Sequence, residues 1–244
     1  MRLRIAAGAG ALAAGLGVGA AVQGQSETGC RLALVLALDV SSSVDATEYN
    51  LQRLGLANAL DSPDVRHAIL RGAPGYVALT VYEWSGFHQH KLQLDWTALT
   101  SQGAIDAAVA QLAAMQRSHD DFPTSLGPAL GFAAQLLENG PSCARQVIDV
   151  SGDGVNNYRY GPQVAYKHFP LDHVTVNGLV ILQDDPAVEA YYGAEVLNGP
   201  GAFLERAFGF EDFHAAMTRK LFREISDIKL GARRGPPPLP WSDG

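Results

Sequence analysis

Arg31 to Leu38 reads RLALVLAL, a nearly unbroken apolar run that stops abruptly at Asp39 and three serines. A run of this length with no polar alternation suits a strand buried on both faces, as in a parallel sheet covered by helices. Tyr76 to Trp84 (YVALTVYEW), Gln146 to Val150 and Val174 to Leu182 (VTVNGLVIL) repeat the pattern. Lys91 to Trp96 (KLQLDW) instead alternates polar and apolar, as a half-exposed antiparallel edge strand does. Helical spacing falls between these runs, over Thr47 to Leu60, Ser101 to Met115 and Thr124 to Leu137. It returns in a short segment, Pro186 to Tyr192, and in a long terminal one, Glu211 to Ile228, while Glu195 to Ala202 reads as a loop or short strand. Strands alternating with helices predict an α/β domain: three layers, doubly wound, with a mostly parallel sheet and one antiparallel edge strand.

The ends of the chain differ from this body. Arg2 and Arg4 precede a chargeless stretch, Ile5 to Val22, rich in Ala, Gly, Leu and Val, and polar residues return at Gln23. A basic start, an apolar middle and small residues before a polar stretch read as a secretory signal peptide over 1–24, with a membrane anchor as the alternative. No other stretch is long and apolar enough to span a bilayer. Residues 25–230 then form the domain, and 231–244 (GARRGPPPLPWSDG) read as a Pro-rich disordered or extended tail. With 47% hydrophobic and 18% charged residues, the chain as a whole is not of the disordered class. The formal charge is −7, and loss of Arg2 and Arg4 with a signal deepens it. An acidic body repels nucleic acid and anionic lipid and suits a protein that attracts a cation.

In an open parallel sheet, ligands bind beyond the carboxyl ends of the strands, where the strand order reverses. The polar clusters here fall at those ends. Asp39-Val40-Ser41-Ser42-Ser43 follows the first strand, and Gly152-Asp153-Gly154 follows the third buried one. Thr124 stands before a helix. Asp39, Ser41, Ser43, Thr124 and Asp153 all offer hard oxygen donors, the kind that Mg²⁺ selects. Singly, each has an ordinary reading, because Asp, Ser and Thr at such positions also cap helices. Three such elements in this order, each at a suitable end, favour a metal site.

A D-x-S-x-S loop, a separate Thr and a later Asp resemble the metal-ion-dependent adhesion site of von Willebrand factor A and integrin inserted domains. Order and surroundings match from about Cys30 to Ile228. The phrases LALDVSSSVD, EWSG, IDVSGDGVNN and NGLVIL resemble, more locally, a bacterial group of exported A-domain-like proteins of unknown function. The resemblance implies that Ser41 and Ser43 ligate a divalent metal directly and that Thr124 does so directly or through water. It implies that Asp39 and Asp153 hold metal-bound waters or ligate. Many A domains carry Thr-Asp-Gly where this chain has Gly152-Asp153-Gly154, and Asn156 and Asn157 stand where a further acid often follows. In this fold the strands before Asp39 and Asp153 are neighbours. Cys30 and Cys143 lie at similar distances upstream of the two aspartates, so a disulfide between them is expected, as export permits.

The function these features point to is an exported binding module, periplasmic or secreted. Its Mg²⁺ (or Mn²⁺ or Ca²⁺) would be completed by a carboxylate from a protein or peptide partner. Two rival readings use the same residues. One is a metal-assisted hydrolase of phosphate or acyl substrates, against which no nucleophile–base pair is apparent. The other is a structural protein with a vestigial site. His119, Asp120 and Asp121 lie just before Thr124 and read either as a border of the ligand face or as a plain polar loop. His88 and His90 read as a solvated edge, with a second metal as the alternative. Trp84 and Trp96 read as core or sheet cover, and the Tyr191-Tyr192 pair as packing under a loop.

Overall fold

The computed structural model describes residues 29–182 and 187–226. The expected signal peptide over 1–24 and the expected Pro-rich tail over 231–244 lie outside the described residues. Six strands form the central sheet: β1 (Cys30–Asp39), β2 (Tyr76–Trp84), β3 (His90–Leu99), β4 (Arg145–Gly152), β5 (Thr175–Ile181) and β6 (Leu204–Ala207). Their order is β3-β2-β1-β4-β5-β6. All neighbouring pairs are parallel except β2 with β3, where the alternating KLQLDW segment pairs antiparallel along one edge.

The apolar run forms β1 because both of its faces are covered. Leu32, Leu34, Leu36 and Leu38 enter one hydrophobic core, and Ala33, Val35 and Ala37 enter the other. A fully buried leucine contributes about 1.5–3 kcal/mol relative to an exposed one, so this strand anchors both layers. The first core is roofed by α1 (Ala46–Asp61), α2 (Pro63–Arg71), α3 (Gln102–Ala113) and α7 (Phe213–Ile225). The second is roofed by α4 (Leu126–Glu138), α5 (Pro162–His168) and α6 (Ala187–Tyr191), the last continuing into a π-helical turn, Tyr192–Val196. Among the described residues no helix is long and apolar enough to cross a membrane.

Several boundaries differ from the sequence-based expectation. Pro63 does not merely end α1 but opens α2, since a proline at the first helical position gives up an N–H that had no partner. The helix expected from Thr124 begins at Leu126, with Ser125 at its cap. The segment 195–202, expected as a loop or short strand, is loop beyond the π-helical turn apart from a bridge of Asn198 to Val176, and β6, which was not expected, begins two residues later at Leu204 and adds a parallel edge.

Cys30 and Cys143 are joined by a disulfide, their Cα atoms 4.5 Å apart. The register explains the pairing. Leu32 lies opposite Arg145, so the residues just before them meet at the amino-terminal edge of the sheet.

Candidate metal site

The strand order reverses between β1 and β4, which makes their carboxyl ends the switch point of the sheet. Leu38 pairs with Ser151 there, so Asp39 stands beside Gly152 and the two loops leave the sheet side by side. The loop 40–45 turns sharply, with Val44 N donating to Ser41 O at 3.0 Å. Its geometry separates two sequence readings. Asp45, not Asp39 or a serine, caps α1: its Oδ1 accepts from Thr47 N and Glu48 N, and Glu48 Oε2 accepts from Asp45 N. The serines are therefore free of capping duty.

The five expected residues come together. Ser41 Oγ is 3.2 Å from Ser43 Oγ and accepts from Thr124 Oγ1 at 3.3 Å. Ser43 Oγ donates to Asp153 Oδ1 at 2.9 Å. Asp39 Oδ1 accepts from Ser41 N at 2.8 Å, while its Oδ2 is buried with no hydrogen-bond partner. Three hydroxyls and two carboxylates from three separate loops thus share one place above the switch point.

Burial, and then the neighbouring Asp153 carboxylate, push Asp39 up to about 8. Burial also raises Asp153, although the Ser43 hydroxyl works against it. A pair of carboxylates held in this way lacks positive charge, which Arg117 supplies only in part. The donor set is all oxygen, one buried acceptor is orphaned, and Gly152 leaves room. A Cβ there would stand 2.8 Å from Asp39 Oδ2 and 2.5 Å from Tyr192 Oη. These features fit a hard divalent cation.

Residues whose part the sequence did not reveal hold the site in shape. Asn157 Oδ1 accepts from Thr124 N at 3.0 Å and Asn157 N donates to Thr124 O at 3.0 Å. Asn156 Oδ1 accepts from Leu126 N at 2.8 Å, serving the first turn of α4 in place of a side-chain cap. The two asparagines are therefore a clasp between the Asp153 loop and Thr124. Their signal was present, since Asn in a Gly-rich turn commonly bonds neighbouring backbone. Arg117 Nη2 donates to Val40 O and Ser41 O, both at 3.1 Å, and Gln52 Nε2 donates to Asp39 O at 3.0 Å.

The loop with His119, Asp120 and Asp121 is tied to the first loop by Ser42 N donating to Phe122 O at 2.9 Å. It stands at the rim, with both aspartates exposed and His119 edge-on to Phe122. His90 is not on a solvated edge: it stacks on Phe132 at 4.9 Å, and burial lowers it to about 4. His88 packs on Phe87. Among the described residues no group of three or more His, Cys, Asp or Glu side chains gathers for a metal, so the second-metal reading of His88 and His90 has no support. Trp84 and Tyr192 are fully buried core residues, and Trp96 covers the sheet, its Nε1 donating to Leu136 O at 3.1 Å.

The sheet and its flanking helices have a von Willebrand factor A-like fold. The family described as "Protein of unknown function (DUF1194)" matches residues 29–229, and the chain belongs to it. Proximal thread matrix protein 1 from the mussel byssus is similar in fold, with 17% identity and a TM-score of 0.58 over 82% of this chain and 48% of that one. Another structure of that protein has a zinc-occupied MIDAS motif, the adhesion-site motif named above. A von Willebrand factor type A structure from Catenulispora acidiphila is 14% identical, with a TM-score of 0.55 over 81% of this chain and 42% of that one. The PilB minor pilin from Streptococcus sanguinis is 12% identical, with a TM-score of 0.58 over 82% and 62% of the two chains. The chain thus spans between 42% and 62% of these structures, and at such identities the likeness speaks for the fold. No curated protein matches in sequence.

Proposed function

We propose that this chain is an exported binding module that holds one divalent cation and uses it to capture a carboxylate of a protein or peptide partner. Ser41, Ser43 and Thr124 would supply hydroxyls, and Asp39 and Asp153 would ligate or hold the bound waters. The observation that carries this reading is the convergence of three neutral hydroxyls with two carboxylates at one point. Hydroxyl ligands leave a cation electron-poor, so an incoming carboxylate is drawn strongly to a remaining position. Mg²⁺ is the preferred candidate on the hardness of the donors, with Mn²⁺ and Ca²⁺ sharing that chemistry. The byssus matrix protein and the minor pilin that share the fold support binding over hydrolysis, and their surroundings support export.

The test uses the mature chain immobilised on beads and extracts of its own cell envelope. A partner is expected to be retained in Mg²⁺ or Mn²⁺, released by chelator and lost with Ser41→Ala/Ser43→Ala. Blocking side-chain carboxylates of the extract should abolish retention. Retention that survives chelator and both substitutions would contradict the proposal, as would turnover of phosphate esters that needs Asp39.

A further inference from the structure

Helix α7 carries two charged residues on the face it presses against the sheet. Lys220 and Glu224, one turn apart, are 0% and 2% exposed. Lys220 Nζ lies 3.0 Å from Glu224 Oε1 and 3.0 Å from Asp149 Oδ1, in the middle of β4. From β5, Asn177 Nδ2 donates to Glu224 Oε1 at 2.8 Å. The ring of Phe203 covers the group, its centroid 4.4 Å from Lys220 Nζ, and Phe203 N donates to Asn177 Oδ1.

Two carboxyl groups and one amine therefore share a pocket shut off from water. Ions in such a cluster are costly to take out of water, and one lysine cannot neutralise both acids. Burial, and then Glu224, hold Asp149 well above the ordinary carboxylate range. Neither Asp149 oxygen makes a hydrogen bond, although Nζ is 3.0 Å away. The amine rests against the carboxyl group without donating along it in the usual direction. A protonated carboxyl is open to attack at carbon, and a desolvated lysine amine is a nucleophile.

We propose that Lys220 and Asp149 condense into an intramolecular amide, with Glu224 relaying the protons. Burial opposes charge on Lys220, but Asp149 and Glu224 outweigh it and raise the amine, so attack must begin with transfer of a Lys220 proton to Glu224, whose Oε1 lies 3.0 Å from Nζ. The Nζ lone pair then attacks Asp149 Cγ, and a C–N bond forms. Glu224 gives a proton to the leaving Asp149 oxygen, the C–O bond breaks and water departs. Of the three ammonium protons, one stays on the amide, one leaves in the water and one ends on Glu224. The acid proton of Asp149 leaves with its oxygen. No oxidant or cofactor enters. The bond ties the last described helix to the centre of the sheet.

Tryptic digestion of the reduced, denatured wild-type protein tests this directly. Cleavage at the flanking arginines isolates residues 146–159, which hold Asp149, and residues 220–223, which begin with Lys220. The expected product is one branched peptide with the mass of both less one water, its junction placed at Asp149 and Lys220 by fragmentation. Asp149→Asn should give the same branched mass, with ammonia leaving instead of water, and Lys220→Arg should give none. Glu224→Gln should slow formation about a hundredfold, the usual scale of a lost proton relay; formation at the wild-type rate would overturn the role of Glu224. Two linear peptides, with cleavage after Lys220, from folded wild-type protein held for days would overturn the proposal. That measurement needs no variant to fold.

Discussion

Replacing Cys30 and Cys143 together by serine should lower the unfolding free energy by about 4–5 kcal/mol, since the chain-entropy cost of opening a loop this long is of that size. The bridge joins residues 113 positions apart. It also sits where two parallel strands begin, at the end of the sheet opposite the candidate metal site. Ala144 N donates to Cys30 O at 3.0 Å beside it, so the backbone already holds the two ends together in the folded state. The larger part of the effect should therefore lie in the freed unfolded chain. Urea titration with and without reductant, and of the double serine variant, gives the number. A loss below about 1 kcal/mol would show that the unfolded chain gains little freedom when the bridge is absent.

Gly152→Ala should both destabilise the fold and loosen the candidate metal site. A single added methyl would meet Tyr192 Oη at 2.5 Å and Asp39 Oδ2 at 2.8 Å. Tyr192 is fully buried and Asp39 sits at the end of β1, so neither can retreat into solvent. Overpacking of this kind costs about 1–3 kcal/mol. Any relief must come from moving the Asp39 carboxylate or the Asp153 loop, which disturbs the donors. Thermal melts in increasing Mn²⁺ separate the two effects. A ligand at a hundred times its dissociation constant stabilises the native state by about 2.7 kcal/mol. The wild-type chain should show a rise of that order and Gly152→Ala little or none. An equal rise in both would mean that the cation binds away from Gly152.

Much of this architecture is legible in the sequence because burial on two faces leaves a plain signature. The leucines and alanines of β1 alternate between two cores, yet both kinds are apolar, and the run announces a covered parallel strand. Four of the five candidate donors, Asp39, Ser41, Ser43 and Asp153, are legible for the same reason: polar side chains that follow such runs at their carboxyl ends stand where a sheet binds ligands. What was hidden depends on tertiary partners. Thr124 looks like a helix cap, but Asn157 draws it back from α4 and leaves its hydroxyl to Ser41. Helix α5 is only seven residues long, and β6 four, too short for periodicity to mark. Lys220 and Glu224 pass for the polar side of an amphipathic helix. The clue lay in β4, where Asp149 interrupts an apolar strand and, once buried, needs a partner.

The proposed function rests on a cation drawn in by hydroxyls from two loops and a carboxylate from a third. Crystals soaked in Mn²⁺ and measured at the manganese absorption edge test this most directly. One anomalous peak is predicted, in bonding contact with the Ser41 and Ser43 hydroxyls and beside Thr124, Asp39 and Asp153, and absent from Ser41→Ala/Ser43→Ala crystals. A map with no peak there at saturating Mn²⁺, or with the ion held elsewhere, would contradict it.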